Sequence, residues 1–263
     1  MSSNTEIAIV THGSGPLPVV MIHGWAMNSG LMEATAQALG DIATVHCVDL
    51  PGHGRSRDCD LPLDPDGAVT AQLGERIGPD ALWIGWSMGG LFALAAAQRS
   101  QARGLVMLSS TPSFAEREGW PHGLRPSVLT GMRQAVATDA RRTVTDFLRL
   151  EVLGVTRAHP ALQDLEQLAF GHGMPQAHAL EQGLDLLEHC DMRARVSRLN
   201  VPQLWIGGAR DRLVSPDTLT AAAAMAARGE SHILAGAGHA AFLSTPDRFN
   251  SALRNWIDGN VRI

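Results

Sequence analysis

The sequence predicts an α/β fold in which a mostly parallel central sheet is flanked by helices. Short apolar strands alternate with helical stretches, and this alternation is typical of a parallel sheet that is covered on both faces. With 263 residues, 45% of them hydrophobic, the chain is long enough to bury the core of one large domain with an insertion. The predicted strands are 19–22, 44–48, 82–84, 105–109, 203–207 and 231–234, and the predicted helices are 31–39, 66–77, 89–99, 216–227 and 246–257.

One long segment between two predicted core strands interrupts this alternation. Strand signals vanish there, and helical periodicity dominates. Within it, residues 139–153 place Val144 and Phe147 on one helix face and Arg142 and Arg149 on the opposite face. We therefore expect a core domain made of residues 1–111 and 196–263 and a helical cap made of residues 112–195.

A sharp turn between a strand and a helix follows the third predicted strand. The segment Gly85-Trp86-Ser87-Met88-Gly89 joins the apolar run 81–84 to a helical stretch and places a serine at the apex. Such a reversal forces the nucleophile into a strained backbone conformation, which small neighbours tolerate. Backbone N–H groups at the helix N-terminus face the place where negative charge develops on an attacked carbonyl. This nucleophile elbow predicts the α/β-hydrolase fold, with Ser87 as the nucleophile.

An acid and a base follow the serine in the order that this fold uses. Asp211 comes three residues after the buried stretch 201–208, and His239 lies in a glycine-rich loop after the last predicted strand. We expect His239 to take the Ser87 proton and return it to the leaving alcohol. Asp211 would fix the imidazole tautomer and stabilise the imidazolium that forms.

Other interpretations of these residues remain open in the sequence. Asp211 is also compatible with an ordinary turn residue that bonds its own backbone. Asp217 follows a proline and is typical of a cap for the alanine-rich helix 218–227, whereas Asp49 precedes the serine and leads into a proline-glycine turn. Order and loop context favour Asp211 as the acid.

The loop after the first predicted strand supplies the second half of an oxyanion hole. It contains His23-Gly24-Trp25, and the backbone N–H groups of Trp25 and Met88 are expected to bind the oxyanion. His23 is interpreted as a structural histidine that bonds backbone groups, because His239 already fills the role of the base.

Composition excludes several other chemistries. All 21 basic residues are arginines, and the chain has no tyrosine, so a Walker-type phosphate loop, Schiff-base catalysis and a tyrosine acid are excluded. The formal net charge of −5 argues against general nucleic-acid binding. The three cysteines lack metal-ligand spacing, and Cys47 is expected to be a buried strand residue. The cap histidine His178 has a carboxylate, Glu181, at helical spacing, but no metal is expected there.

The sequence also bears on location. Residues 1–6 lack the basic and apolar parts of a secretory signal, and no apolar run reaches the ~18 residues that a membrane helix needs. We therefore expect a cytoplasmic, monomeric enzyme that neither uses a cofactor nor binds a membrane.

Several segments together resemble the pimeloyl-acyl-carrier-protein methyl ester esterase family of biotin biosynthesis. The resemblance covers most of the chain, including the cap, and is most specific in the elbow, the Gly-Trp loop and the Arg-Thr-Val stretch of the cap. The segments are Ile22-His23-Gly24-Trp25, residues 48–56, residues 83–90, Gly119-Trp120-Pro121 and residues 142–148.

The resemblance implies a reaction and a set of site residues. The reaction is hydrolysis of the methyl ester of a pimeloyl chain carried by acyl-carrier protein, through an acyl-enzyme and without a cofactor. The implied triad is Ser87, Asp211 and His239. The residues implied to border the substrate are Trp25, Met88, Phe147, Leu148, Arg149, Leu150, Glu151 and His239.

Cap arginines are expected to contact the acidic carrier protein. The segment 117–157 carries seven arginines against four acids, a net charge of +3 in an acidic chain. A solvated face is the alternative interpretation of such a charge run. Arg141, Arg142 and Arg149 are the leading docking residues. The alternative functions are a general carboxylesterase or carbon–carbon bond hydrolase that ignores the carrier protein, and a non-catalytic binding protein of the same fold.

Overall fold

In the computed structural model of the chain, the described residues are 4–151 and 165–261, without the side chains of Leu150 and Glu151. Their strands are β1 (Ile9–His12), β2 (Leu17–Ile22), β3 (Ala43–Val48), β4 (Leu82–Trp86), β5 (Gly104–Leu108), β6 (Gln203–Gly208) and β7 (Gly229–Leu234). The strands form one sheet in the order β1-β3-β2-β4-β5-β6-β7. Among them, β1 runs antiparallel to β3, and the other neighbouring strands are parallel.

Helices connect the strands and cover the sheet. They are α1 (Glu33–Ala38), α2 (Ala68–Ile77), α3 (Gly89–Arg99), α4 (Pro126–Glu151), α5 (described for 165–170), α6 (Ala177–His189), α7 (Arg193–Val196), α8 (Pro216–Met225), α9 (Ala241–Ser244) and α10 (Pro246–Asn260). Between β5 and β6 the described chain forms α4 to α7 and two isolated bridges, Ala115 to Leu124 and Arg117 to Trp120. No helix among the described residues is long and apolar enough to cross a membrane.

The central strands are buried on both faces, which explains their continuous apolar sequences. Every residue of β4, β5 and β6 is buried, as parallel strands covered by helices on both sides require. Helix α3, which follows β4, is buried from Gly89 to Ala97 and therefore lies inside the molecule. The predicted α/β class and mostly parallel sheet are confirmed.

Two local predictions differ from the structure near the start of the chain. Strand β1 was not predicted. It is an edge strand that pairs with β3 and is only partly buried, so its residues carry a weak apolar signal. The predicted helix 31–39 is instead a 3-10 turn at Ser29–Met32 followed by the short helix α1.

The helix predicted over residues 139–153 begins earlier, at Pro126, and bends at Asp139. That residue has φ −155° and ψ 90°, and its carboxylate oxygen Oδ1 accepts a hydrogen bond from the Arg142 N–H at 2.9 Å. Asp139 thus acts as an N-cap inside α4 and divides the helix into two parts. In the second part Val144 and Phe147 are buried and Arg149 is exposed, as the periodicity predicted.

The expected cap at Asp217 is wrong. Ser215 caps α8, since its hydroxyl accepts a hydrogen bond from the Thr218 N–H at 3.1 Å, and Pro216 occupies the first turn. Proline is favoured at the first helical position because its fixed φ suits the helix and it has no N–H to leave unpaired. The helix therefore begins before Asp217, which is exposed in the first turn.

Candidate active site

The predicted nucleophile sits in a strained turn between β4 and α3. Ser87 has φ 52°, in the left-handed region that L-residues rarely adopt. Its N–H donates to the Leu108 carbonyl at 2.9 Å, which ties the turn to the end of β5. A Cβ on Gly89 would lie 2.3 Å from the Ile22 carbonyl oxygen, so the helix can approach β2 only with glycine there. The sequence pattern thus forms the elbow that the fold class requires.

Ser110 supports this turn and was missed by the sequence analysis. Its fully buried hydroxyl donates a hydrogen bond to the Ser87 carbonyl at 2.7 Å. The Ser87 carbonyl also accepts from the Gly90 N–H at 2.9 Å, so the two bonds fix the peptide that follows the nucleophile. The available signal was weak, because a small polar residue just beyond a buried strand is common in loops.

Asp211 and His239 form a buried pair. The Asp211 carboxylate oxygen Oδ2 lies 2.8 Å from His239 Nδ1, and the two residues are 6% and 1% exposed. The other oxygen, Oδ1, accepts the N–H groups of Leu213 at 2.9 Å and Val214 at 3.0 Å. These backbone bonds fix the orientation of the carboxylate, which in turn fixes the imidazole.

The sheet places this pair at the same edge as Ser87. Because β4, β6 and β7 are parallel, the loops that follow them leave the sheet on one side. The ring centroids of Trp86 and His239 are 6.0 Å apart, so the imidazole lies beside the residue that precedes Ser87. Ser87 itself is 6% exposed, and the three predicted triad residues are all buried at this edge.

The predicted oxyanion loop lies against the elbow. A Cβ on Gly24 would be 3.1 Å from the Ser87 Cβ and 3.7 Å from its Oγ. The loop is strained at Ala26, with φ 61°, and the Met27 N–H donates back to the Gly24 carbonyl at 3.3 Å. Trp25 therefore lies in a tight turn next to the nucleophile.

The Trp25 side chain faces the helices inserted between β5 and β6. Its indole Nε1 donates to the Leu180 carbonyl of α6 at 2.9 Å, and its ring meets the Phe147 ring edge-on at 5.1 Å between centroids. A Cβ on Gly183 of α6 would lie 2.5 Å from Trp25 Cδ1 and 3.2 Å from Met88 Sδ. Trp25 and Met88 thus lie against α6 at Gly183, and Phe147 of α4 packs on the Trp25 ring.

His23 is a structural histidine, as predicted. Its Nε2 accepts the Leu50 N–H at 3.0 Å, so Nδ1 carries the proton and donates to the Gly24 carbonyl at 2.8 Å. Burial lowers the pKa of His23, which keeps the ring neutral. Both nitrogens hold backbone groups at the base of the oxyanion loop.

Asp49, the rival acid, lies in a separate cluster with Ser29 and Arg55. Its fully buried carboxylate accepts the N–H groups of Ser29 at 2.6 Å and Arg55 at 2.9 Å. The Arg55 guanidinium lies 3.7 Å away. His53 is nearby, and burial lowers its pKa to about 3. These contacts make Asp49 a scaffold for the loops after β2 and β3.

Outside this site, burial raises the pKa of each cysteine thiol. Cys47 is buried in β3 as predicted, and burial raises the pKa of its thiol to about 12, so the reactive thiolate is disfavoured. Among the described residues, no group of histidine, cysteine and carboxylate side chains could hold a metal ion.

The α4 residues predicted to border the substrate lie partly in the interior and partly at the surface. Phe147 contacts Trp25, and Leu148 is fully buried in the same helix. Arg149 lies at the surface, where its guanidinium is 2.5 Å from Asp146. The side chains of Leu150 and Glu151 lie outside the described part of the structure.

The predicted docking arginines lie on the outer side of α4. The side chains of Arg142 and Arg149 are 80% and 59% exposed, and both pair with Asp146. Arg141 stacks over the Phe170 ring at 4.7 Å from its centroid. Other arginines of the basic run are used internally, since Arg117 binds the Glu188 carbonyl and Arg133 pairs with Asp185 and Glu188.

Comparisons with known proteins agree with this geometry. Residues 19–252 match the model of the alpha/beta hydrolase family. A pimeloyl-[acyl-carrier protein] methyl ester esterase from Stenotrophomonas maltophilia (strain R551-3) is 44% identical over 94% of this chain and 95% of that protein. One from Xylella fastidiosa (strain M12) is 42% identical over 93% of this chain and 96% of that protein.

Solved structures with similar folds are more distant in sequence. An esterase from Exiguobacterium antarcticum superposes with a TM-score of 0.85 at 22% identity, covering 97% of this chain and 96% of that one. A bromoperoxidase from Bacillus anthracis gives 0.84 at 21% identity, covering 96% and 95%. At these identities the likeness shows the fold alone. The match to the family model and the 42–44% identity to the two esterases show that the chain belongs to the α/β-hydrolase family and, within it, to the family of the pimeloyl-[acyl-carrier protein] methyl ester esterases.

Proposed function

We propose that this protein is a serine esterase that hydrolyses the methyl ester of pimeloyl-[acyl-carrier protein] to methanol and the free carboxylate, in biotin biosynthesis. The observation that carries the proposal is the 2.8 Å contact between Asp211 Oδ2 and His239 Nδ1 beside an elbow that holds Ser87 at φ 52°. Relatives of this chain at 42–44% identity carry that name, which supports the choice of substrate.

Each triad residue has one role in the proposed mechanism. Ser87 attacks the ester carbonyl while His239 takes its proton and then passes it to the departing methanol. Water attacks the resulting acyl-enzyme with His239 again as the base, which releases the carboxylate and restores the serine. Asp211 is held by two backbone N–H groups, so it keeps the imidazole in the required tautomer. No cofactor takes part in these steps.

The backbone N–H groups of Trp25 and Met88 are the proposed oxyanion donors. The closeness of Gly24 to Ser87 supports the first, and the position of Met88 at the start of α3 supports the second. Each donor lowers the barrier by about 3 kcal/mol in comparable sites. The packed side chains of Trp25, Met88 and Phe147 offer an apolar surface for the acyl chain, while Leu150 and Glu151 remain proposals from the family resemblance.

Residues 112–195 are proposed to form a cap whose outer face receives the carrier protein. The second part of α4 exposes Arg141, Arg142 and Arg149 beside the exposed acids Asp139 and Asp146. A cluster of exposed guanidinium groups attracts an acidic partner and raises the rate of encounter. Because Phe147 on the same helix touches Trp25, a carrier seated on this face would be close to the buried site.

The test compares a methyl pimeloyl chain on acyl-carrier protein with free dimethyl pimelate. Ser87→Ala is expected to lose turnover of both substrates by about a millionfold, because a triad without its nucleophile retains little catalysis. Arg142→Glu is expected to raise KM about tenfold for the carrier-bound ester and to leave the free diester unchanged.

Arg198→Glu is the matched control, because it reverses an exposed arginine outside α4. Equal turnover of carrier-bound and free esters by the unaltered protein would instead indicate a general short-chain carboxylesterase. Near-normal turnover by Ser87→Ala would refute the mechanism.

A further inference from the structure

Asn28 joins the end of the oxyanion loop to the helical segment between β5 and β6. Its side-chain amide nitrogen donates to the carbonyls of Leu168 at 2.9 Å and Ala169 at 3.0 Å. Its side-chain oxygen accepts the Gly30 N–H at 2.9 Å, which caps the 3-10 turn that follows. The residue is 1% exposed, so these bonds form in a dry setting where they are strong.

The Asn28 side chain bonds groups of α5 and of the oxyanion loop that have few other partners. Leu168 and Ala169 lie in the last turn of α5, where the final carbonyls of a helix have no partner within the helix. On the other side, the oxyanion loop from Gly24 to Asn28 contains the strained Ala26 and closes through the weak 3.3 Å bond from Met27 to Gly24. The loop therefore depends on external contacts to keep one conformation.

Those external contacts come largely from the inserted helices. Trp25 is bonded to Leu180 through its indole, and Asn28 is bonded to α5 three residues later. His23 holds the other end of the loop from the core side through Leu50 and Gly24. The core thus holds the loop at His23, and the inserted helices hold it at Trp25 and Asn28.

We propose that Asn28 is a positioning residue that couples the seating of the cap to the geometry of the oxyanion hole. The inference rests on the proposed function, in which the Trp25 N–H binds the oxyanion. When α5 accepts the Asn28 amide, the turn from Gly24 to Asn28 is held and the Trp25 N–H points at the reacting carbonyl. Without that bond the loop relaxes and the Trp25 N–H no longer points at the oxyanion. Because this hydrogen bond acts on the transition state and not on the bound ester, its loss lowers kcat.

The experiment uses two substitutions that cut the link and preserve the cap of the 3-10 turn. Asn28→Asp keeps the acceptor for Gly30 and replaces the donor with a carboxylate oxygen. Asn28→Ser keeps a good N-cap and is too short to reach both α5 carbonyls, so it remains informative if the first variant fails to fold. Arg57→Gln is the matched control. It removes the hydrogen bond that the Arg57 side chain of another loop donates at 2.9 Å to the Met174 carbonyl, which lies in the segment between β5 and β6.

The readouts are kcat and KM for a short p-nitrophenyl ester and the inhibition constant of an alkyl trifluoromethyl ketone, which forms a tetrahedral oxyanion with the serine. For either Asn28 variant kcat is expected to fall ten- to a hundredfold with KM within twofold. The ketone inhibition constant is expected to rise by a similar factor. Arg57→Gln is expected to change none of the three by more than twofold.

Asn28 variants whose kcat and ketone inhibition match the control would overturn the inference while leaving the proposed function intact. A rise in KM without a change in ketone inhibition would also overturn it, because that result indicates a role in substrate binding. An unaltered protein that neither hydrolyses the ester nor is inhibited by the ketone would overturn the proposed function and this inference together.

Discussion

Two buried clusters of histidine and aspartate lie at the carboxyl ends of the strands, and they differ in what the carboxylate holds. In the first, Asp211 gives one oxygen to backbone N–H groups and the other to the His239 imidazole. In the second, Asp49 gives one oxygen to the Ser29 N–H and the other to the Arg55 N–H. The Asp211 carboxylate therefore bonds an imidazole ring, whereas both oxygens of Asp49 accept hydrogen bonds from backbone N–H groups.

The histidines of the two clusters differ in the same way. His23 bonds backbone groups through both nitrogens, and His53 bonds the Pro51 carbonyl through Nδ1 at 2.9 Å. His239 instead has its Nδ1 on a carboxylate, which supports the proton transfers proposed for it. In both aspartates one carboxylate oxygen accepts a backbone N–H. The partner of the other oxygen therefore distinguishes the proposed catalytic aspartate from the structural one, even though both are buried.

The largest expected effect is on catalysis at the first cluster. Asp211→Asn places an amide N–H against His239 Nδ1 and stabilises the tautomer that cannot accept the serine proton. We expect kcat for a short ester to fall by about ten-thousandfold, as in other triads that lose the charge but keep the shape. Steady-state kinetics measures kcat, and thermal unfolding provides the control, since the backbone bonds to Leu213 and Val214 are retained.

The next effect concerns stability at the second cluster. Asp49→Asn turns one acceptor into a donor that faces a backbone N–H, so the free energy of unfolding is expected to fall by about 3 kcal/mol. Below the unfolding transition kcat is expected to change far less than in Asp211→Asn. Urea unfolding measures the loss, and Asp217→Asn, an exposed change in the first turn of α8, is the control. A loss of kcat equal to that of Asp211→Asn, with stability intact, would erase the distinction between the clusters.

The smallest effect is a pH dependence of stability from the second cluster. The pKa of His53 is lowered from 6.5 to about 3 by burial, so between these values the unfolded chain holds a proton that the folded chain lacks. Its contribution to stability is therefore complete above pH 6.5 and is lost as the pH falls, by about 1.4 kcal/mol per pH unit.

His53→Asn keeps a donor for the Pro51 carbonyl and removes the titrating ring. Between pH 7.5 and 5.0 the variant is expected to lose about 2 kcal/mol less free energy of unfolding than the unaltered protein. The matched control is His232→Asn, which removes an exposed histidine on β7. A pH profile in His53→Asn that parallels the unaltered protein would show that His53 titrates normally in the folded state.

Much of the fold and the placement of Ser87, Asp211 and His239 followed from the sequence for one physical reason. Parallel strands bring the loops at their carboxyl ends to one edge, so residues far apart in the chain can be assigned to one place once the strands are known. The elbow is also a local backbone feature, since its glycines and its strand and helix are contiguous in the sequence. His23 was interpreted correctly by elimination rather than from any signal of its bonding.

The contacts between the core and the inserted helices could not be predicted in this way. Asn28 has a local signal, because it precedes a helical turn as an N-cap does, but nothing local identifies Leu168 as its second partner. The charge count of the cap overestimated its free basic surface, because Arg117 and Arg133 are bonded within the molecule. Contacts between the core and the inserted helices depend on how these elements pack. The periodicity of a sequence indicates which face of a helix is buried, but not which residue it meets.

Gly183 gives α6 a contact point without a side chain, directly above the indole of Trp25 and the sulfur of Met88. The hydrogen bond from the Trp25 indole to the Leu180 carbonyl holds α6 at the same place from the neighbouring turn. A larger residue at position 183 would have to push α6 or the loop of Trp25 aside, because its Cβ would already lie 2.5 Å from the indole. This one small residue therefore sets how closely the inserted helices approach the nucleophile.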